Sequence, residues 1–331
     1  MPEDQIRLGP NPPCSRDIHM QYSFVFAQQV HLPSDPLQPG PVYFLTPRKC
    51  GLFGICCEGV PQQVNYLIDE AFSGTKGSSA VISYLHYFFE CFGIGEEHAD
   101  MHCDNCTGQN KNKFVLWYLA WRVMHGLHKT ITLNFLITGL TKFSPDWCFG
   151  LIKQKFRKSR VCSVAVLVDV VKASTVTDVN LAQPTMAGED NIVQQYNWNQ
   201  KLQETCKAVN GIKKYHHFRF CHTRPGVVFC KEFHDSDEVE FCLLKNVATL
   251  PSAEMPTVSK PPGLPPARQW YLFEKIREFC SDETQDITCP KPTVAKPRTN
   301  AQDNDDGIDS DHEPAVPAAT RGRGRGRGRG R

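Results

Sequence analysis

The sequence contains no run of about 18 consecutive apolar residues, so it offers no segment that reads as a membrane span. The opening stretch, Met1 to Pro13, is polar and proline-rich and lacks the apolar centre of a signal peptide, so secretion is not expected and the protein is read as intracellular. Excess charge is also missing. The net charge is +2; from Cys289 onward there are 9 Lys/Arg and 6 Asp/Glu, leaving 28 against 29 before it. Any basic surface on the body must therefore be local. A second Cys-x-x-Cys is absent as well. Cys103-x-x-Cys106, with His98 and His102 near, is then half of a zinc site, whose other half would have to come from Cys56/Cys57 or Cys221/His222/Cys230. The 15 cysteines are odd in number, and Cys91, Cys148 and Cys242 sit inside apolar runs, which fits free thiols in a reducing compartment.

What is present suits a globular chain of 331 residues, one large domain or one with a smaller companion, with loops supplied by 24 prolines and 23 glycines. Residues 1–21 read as a flexible N-terminus. Tyr22–His31, Pro41–Thr46 and Gly51–Cys57 read as strands, with Val64–Ile68 a fourth or part of the third. The period then becomes helical at Ser78–Phe92, and Gly93 stops the run. Glu97–Cys103 is a strand, Lys113–His125 a helix, Thr130–Thr138 a strand and Asp146–Ser159 a helix with a basic face, opened by Pro145. The order β-β-β-α-β-α-β-α predicts an α/β fold with a mixed sheet, and it matches the ribonuclease H-like fold of retroviral integrases and many DNA transposases.

A helix is expected at Val164–Ala173 and a weaker one at Asn191–Val209. Residues 181–250 read as a helix plus a small β-sheet extension, with strands at Lys213–Cys221, Gly226–Phe233 and Val239–Lys245. Residues 251–280 read as a proline-rich linker and an amphipathic helix, Ala267–Cys280. From Ser281 to the end, composition predicts disorder.

One polar run stands out: His102-Cys103-Asp104-Asn105-Cys106-Thr107-Gly108-Gln109-Asn110-Lys111-Asn112. Asp104 follows one predicted strand, and Asp146 lies beyond another. Two carboxylates at one rim of a sheet can hold Mg²⁺, which prefers oxygen ligands, and a two-metal site would activate water or a 3′-hydroxyl against a phosphate. The plainer reading is that Asp104 caps its turn and Asp146 occupies a favourable first-turn helix position.

Several segments carry a more specific resemblance. They are Tyr22-Ser-Phe-Val-Phe-Ala-Gln-Gln29, Gln38-Pro39-Gly40-Pro41, Gln63-Val-Asn-Tyr-Leu-Ile-Asp-Glu70, Asp104-Asn105-x-x-Gly108-Gln109-Asn110-Lys111-Asn112, Thr141-Lys142-Phe143-x-Pro145-Asp146-x-x-Phe149-Gly150 and Tyr215-His216-His217-Phe218. With them, residues 22–280 resemble a transposase-like domain of unknown function found in uncharacterised animal proteins and related to DDE/DDD transposases, its core expected over 22–180. The resemblance implies that Asp104 is the second acid of the catalytic set and Asp146 the third. The first acid belongs on the first strand, where this chain has Val25. The family's Gly-His-Thr-Lys-Phe reads Gly139-Leu140-Thr141-Lys142-Phe143 here. Valine offers no ligand oxygen, so Mg²⁺ would be held weakly, if Asp35, Asp69 or Glu70 does not substitute.

Basic residues form two clusters: Lys153, Lys155, Arg157, Lys158 and Arg160 on the helix beginning at Asp146, and Lys213, Lys214 and Arg219 interleaved with aromatics. Lys111 and Lys142 belong to the motifs themselves. The Arg-Gly repeats carry Arg321, Arg323 and Arg325, part of a run of six arginines suited to phosphates and bases and preceded by an acidic block.

The expectation is a domesticated, transposon-derived protein that binds DNA or RNA without a membrane role, in the nucleus, with strand transfer lost or nearly lost. The lack of a recognition domain ahead of the first strand points the same way. Two alternatives stay open: an Mg²⁺-dependent nuclease or transposase using Asp104, Asp146 and a substitute acid, and a non-catalytic protein-interaction scaffold.

Overall fold

One long strand sets the frame. In the computed structural model, which describes residues 6–37, 40–72, 76–137, 143–188 and 190–297, β1 spans Arg16–Leu32. Side chains alternate across it: Met20, Tyr22 and Phe24 enter one core, while Val25 enters a second core on the other face. β2 (Arg48–Cys57) pairs antiparallel with β1, and β3 (Gln62–Asp69) antiparallel with β2. On its other side β1 pairs in parallel with β4 (Glu96–Cys103), which pairs in parallel with β5 (Thr130–Phe135). β6 (Asn180–Pro184) adds in parallel to β3. β7 (His217–Cys221), β8 (Val227–Lys231) and β9 (Val239–Cys242) extend the sheet antiparallel from β5. The result is one mixed nine-stranded sheet, ordered β9-β8-β7-β5-β4-β1-β2-β3-β6.

Helices α1 (Ser78–Cys91) and α2 (Lys113–Met124) cover one face, packing Val81, Leu85, Phe88, Leu116 and Leu119 against Tyr22, Phe24 and Met101. Burying each such side chain contributes about 1.5–3 kcal/mol. α3 (Ser144–Phe156) and α4 (Val164–Lys172) seat Phe149, Ile152, Leu167 and Val171 on Val25, Leu52 and Leu67 of the other face. A short helix α5 (Trp198–Thr205) joins the α1/α2 layer through Trp198 and Leu202. Residues through Lys296 form one packed unit. Among the described residues, no helix is long and apolar enough to cross a membrane.

Several expectations are corrected. Pro41–Thr46 is not a strand: Gly40–Phe44 is a 3₁₀ turn with Tyr43 and Phe44 exposed, so no neighbouring strand pairs it. Of the two readings left open for Val64–Ile68, the structure has the separate strand: β2 and β3 are joined by a turn at Glu58–Pro61 and pair antiparallel. β6 falls in an expected loop; its sequence, Asn-Leu-Ala-Gln-Pro, carries no strand signal of its own, and pairing with β3 makes it one. The expected helix at Asn191–Val209 shrinks to α5. The small β unit is no separate extension, because β7 pairs along β5 from His217↔Asn134 to Cys221↔Thr130.

The proline-rich stretch packs rather than links: Trp121 Nε1 donates to the Ser252 carbonyl at 3.0 Å, and Val258 pairs with Tyr196. The amphipathic helix divides into α6 (Pro266–Tyr271), a π turn at Leu272–Ile276 and a 3₁₀ turn at Arg277–Phe279. The stretch that begins at Ser281 is packed in its described part: Cys280 and Cys289 share a small apolar cluster and the Thr288 hydroxyl donates to the Cys162 carbonyl at 2.6 Å, while residues 298–331 lie outside the described residues.

Candidate functional site

β4 delivers Asp104 to the sheet's polar side. Its alternation buries Ala99, Met101 and Cys103 and leaves His98, Asp100 and His102 partly exposed. Asp104, one step further, lies on that polar face, and the chain then turns. Asp104 Oδ1 accepts from the Cys106 amide at 3.0 Å and from Asn110 Nδ2 at 2.7 Å. Asn112 caps α2, its Oδ1 accepting from the amides of Phe114 at 3.0 Å and Val115 at 3.2 Å. Asn105 donates to the Leu136 carbonyl beyond β5, and Lys111 Nζ donates to Asn105 Oδ1 at 3.1 Å. The motif's amides and lysine thus brace the ends of β4 and β5 against the start of α2.

Lys111 is an internal group. It is 5 % exposed, its ammonium stands 5.1 Å from the centre of the Phe135 ring, and burial holds it below the usual lysine range.

Val25 stands beside this turn. Phe24 and Cys103 are the last register partners of β1 and β4, so Val25 and Asp104 each lie one residue beyond that pair, Asp104 just past the end of its strand. The Val25 side chain is buried in the α3/α4 core. Two residues earlier, Ser23 Oγ donates to Glu58 Oε1 at 2.6 Å, and Ser144 Oγ at the start of α3 donates to Glu58 Oε2 at 2.6 Å. Glu58 therefore ties the end of β2 to β1 and to the helix that carries Asp146. Sequence reasoning missed it; a lone Glu after a strand carries no motif. Asp146 is exposed in the first turn of α3, and its Oδ2 accepts from the Phe143 amide at 3.3 Å. The acids considered as substitutes are engaged elsewhere: Asp35 with Arg160 at 3.4 Å, Asp69 with Arg48 at 2.7 Å and Glu70 with Arg268 at 2.7 Å.

Among the described residues, the group of three possible metal ligands that lie within 4.8 Å of one another is Asp17, Glu97 and His98, at the opposite ends of β1 and β4 from Asp104. Glu97 Oε2 there is 2.5 Å from Lys129 Nζ. Cys103 and Cys106 separate: the first is fully buried, with burial pushing its thiol far up, and the second is exposed. The alternation that lifts Asp104 to the polar face turns Cys103 into the core, which is why the half zinc site is not assembled.

Of the basic residues, Lys155, Arg157 and Lys158 are exposed at the end of α3 and Lys153 is partly so. Lys213 is exposed beside β7, whereas Lys214 pairs with Glu232 at 3.2 Å. Arg219 forms a two-pronged pair with Glu238, at 3.0 and 2.7 Å, and lies over Phe229. Lys142, Arg321, Arg323 and Arg325 lie outside the described residues. Trp147, next to Asp146, is 58 % exposed, a further feature that the apolar periodicity of α3 concealed.

The fold is mixed α/β, and its polar turn is absorbed into local bracing of β4, β5 and α2. The chain belongs to the family described as a domain of unknown function, DUF7869, which it matches over residues 52–236. No curated protein matches the chain, and no solved structure does.

Proposed function

We propose that this chain is a ribonuclease H-like, transposon-derived nuclear protein that binds DNA or RNA and has lost the first acid of its catalytic set. One observation carries the reading: Val25 on the central strand and Asp104 just past the end of the adjoining parallel strand each lie one residue beyond the register pair Phe24↔Cys103. Around them the order β3-β2-β1-β4-β5, antiparallel then parallel, supports the ribonuclease H-like reading. In such a site the first carboxylate would be a ligand to Mg²⁺. Val25 places an isopropyl group there, packed in the α3/α4 core. Asp104 and Asp146 would then hold Mg²⁺ weakly, and loss of a ligand exceeds the about 10–100-fold cost of outer-shell changes. For binding, the exposed Trp147 on α3 offers a stacking surface on the helix whose far end carries Lys153, Lys155, Arg157 and Lys158.

Supercoiled DNA incubated with Mg²⁺ or Mn²⁺ tests the proposal. The wild type is expected to leave it intact, while Val25→Asp gains nicking that Asp104→Ala abolishes. Wild-type nicking lost in Asp104→Ala would refute the inactive reading. Binding to single- and double-stranded DNA and RNA should weaken with salt; absent or salt-insensitive binding would favour the scaffold.

The enzyme reading has one supporting observation, the Glu58 carboxylate clamped between Ser23 and Ser144 on the same face as Val25. If Glu58 serves as the substitute acid, Glu58→Gln removes any metal-dependent nicking.

A further inference from the structure

The α1/α2 side of the sheet holds a cavity of about 550 Å³, within the size range of small-molecule sites. Its walls are aromatic: Tyr87 and His86 from α1, Trp121 and His125 at the end of α2, and Tyr196 from the segment that follows β6. The rings are held in place before any ligand arrives. Trp198 packs edge-on against Trp121 at 5.1 Å and against His86 at 5.2 Å, with Tyr196 at 6.2 Å. Trp121 is pinned by its bond to the Ser252 carbonyl, and the Tyr196 amide donates to Ser83 Oγ at 3.1 Å. Such pre-organisation lowers the ordering cost of binding.

Charge then selects the ligand. Burial, reinforced by Arg122, holds His86 down at about 3, and burial also lowers His125, so both rings are neutral at neutral pH. Among the described residues, Glu90 is the acidic one lining the cavity, and neither lysine nor arginine lines it. Lys201 lies near enough to act on His125, but its ammonium is tied to the Glu254 carbonyl. An anion would meet the Glu90 carboxylate and the negative faces of the rings. A primary ammonium must give up more hydration to reach the aromatic faces. A methylated ammonium has little hydration to lose, and aromatic faces attract it.

We propose that this cavity, walled by Tyr87, Trp121 and Tyr196 with Glu90 at its margin, binds a small organic cation bearing a methylated ammonium head. The head occupies part of the volume, and the remainder takes a short substituent.

Choline, titrated into the full chain by calorimetry and by tryptophan fluorescence, is the probe. Saturable binding is expected, with the uncharged isostere that has carbon in place of nitrogen at least about tenfold weaker. Glu90→Gln, at an exposed position that leaves the fold intact, should weaken choline about fivefold, and Tyr87→Leu should weaken it by a similar factor. No saturable binding, equal binding of the isostere, or an unchanged Glu90→Gln would overturn the proposal. A trimethyllysine peptide that binds where choline does not would overturn the small-molecule assignment.

Discussion

Acid should destabilise this protein well before its carboxylates titrate, and the buried polar chain beneath α1 and α2 is the reason. Glu96 Oε1 lies 3.2 Å from His128 Nε2, Arg122 Nε donates to His128 Nδ1 at 3.3 Å, Arg122 donates to the Tyr118 hydroxyl at 3.2 Å, and that hydroxyl lies 3.3 Å from His86 Nδ1. Arg122 is 1 % exposed and stacks 4.4 Å from the Phe89 ring. Burial lowers His128 to about 4 against the pull of Glu96, and burial with Arg122 lowers His86 to about 3. Both values lie below the ordinary value of about 6.5 that the unfolded chain has. Above pH 6.5 both states are neutral there and stability is level. As pH falls through 6.5 the unfolded chain takes up two protons that the folded chain refuses, so stability falls towards pH 4. Between pH 7 and 5 the loss is about 2 kcal/mol per histidine, or about 4 kcal/mol together. Glu96 adds to the loss lower down: burial raises it, but the hydrogen bond and charge of His128, a backbone amide and the Tyr22 hydroxyl together outweigh this and leave it lowered, so its contribution vanishes below the usual carboxylate range. Urea unfolding followed by tryptophan fluorescence at pH 7, 6 and 5 measures the slope, and His86→Gln should reduce it by about one proton. Stability that stays flat or rises between pH 7 and 5 would refute the reasoning.

Gly54 of β2 leaves no room for a methyl group: an added Cβ would lie 2.7 Å from Gln63 Nε2 and 2.7 Å from Phe149 Cζ. Gly54→Ala should cost about 1–3 kcal/mol in chemical denaturation, through the contact between α3 and the sheet. Asp146→Ala removes the acceptor for the Phe143 amide and should cost about 1 kcal/mol, while Asp146→Asn restores most of it. Trp147→Ala should change thermal stability by no more than about 0.5 kcal/mol because the ring is exposed, yet weaken single-strand binding by about 1–3 kcal/mol. Unchanged affinity in a gel-shift titration would remove Trp147 from the interface.

The sequence made the helices legible because their apolar periods were long and their stops clear. α1, α2 and α4 fall within a residue or so of the expected ends, and Asn112 and Gly93 act as local punctuation that needs no tertiary context. Long-range pairing was not legible. β6 becomes a strand through β3, and β7 becomes part of the main sheet through β5. Pro41–Thr46 has strand-like residues but no strand partner among the described residues, and Gly40–Phe44 turns instead. The same limit applies at the site. Alternation along β4 placed Asp104 on a polar face, but no spacing rule reveals that Glu58 joins Ser23 to Ser144, residues separated by more than a hundred positions.

Val25 and Glu58 are best understood together. A carboxylate at Val25 would enter a core built from Leu52, Phe149 and Ile152, and an unpaired buried charge there is costly. It would also stand two residues along the strand from Ser23, roughly 7 Å by strand rise, on the face where Ser23 holds Glu58. Two carboxylates held on that face repel through a medium less polar than water, and two hydroxyl donors restrain the Glu58 carboxylate. An acid at position 25 and the Ser23–Glu58–Ser144 clamp therefore exclude each other unless a metal neutralises both. Val25→Asp alone should lower stability by about 3 kcal/mol or more without metal, and Glu58→Gln alone by about 1 kcal/mol. The double variant should be more stable than the sum of the two losses by about 1 kcal/mol, because the repulsion is then gone. Mn²⁺ should recover part of the stability of Val25→Asp and none of that of Glu58→Gln. Additive losses, with no recovery on adding Mn²⁺, would mean that position 25 and Glu58 do not share a site.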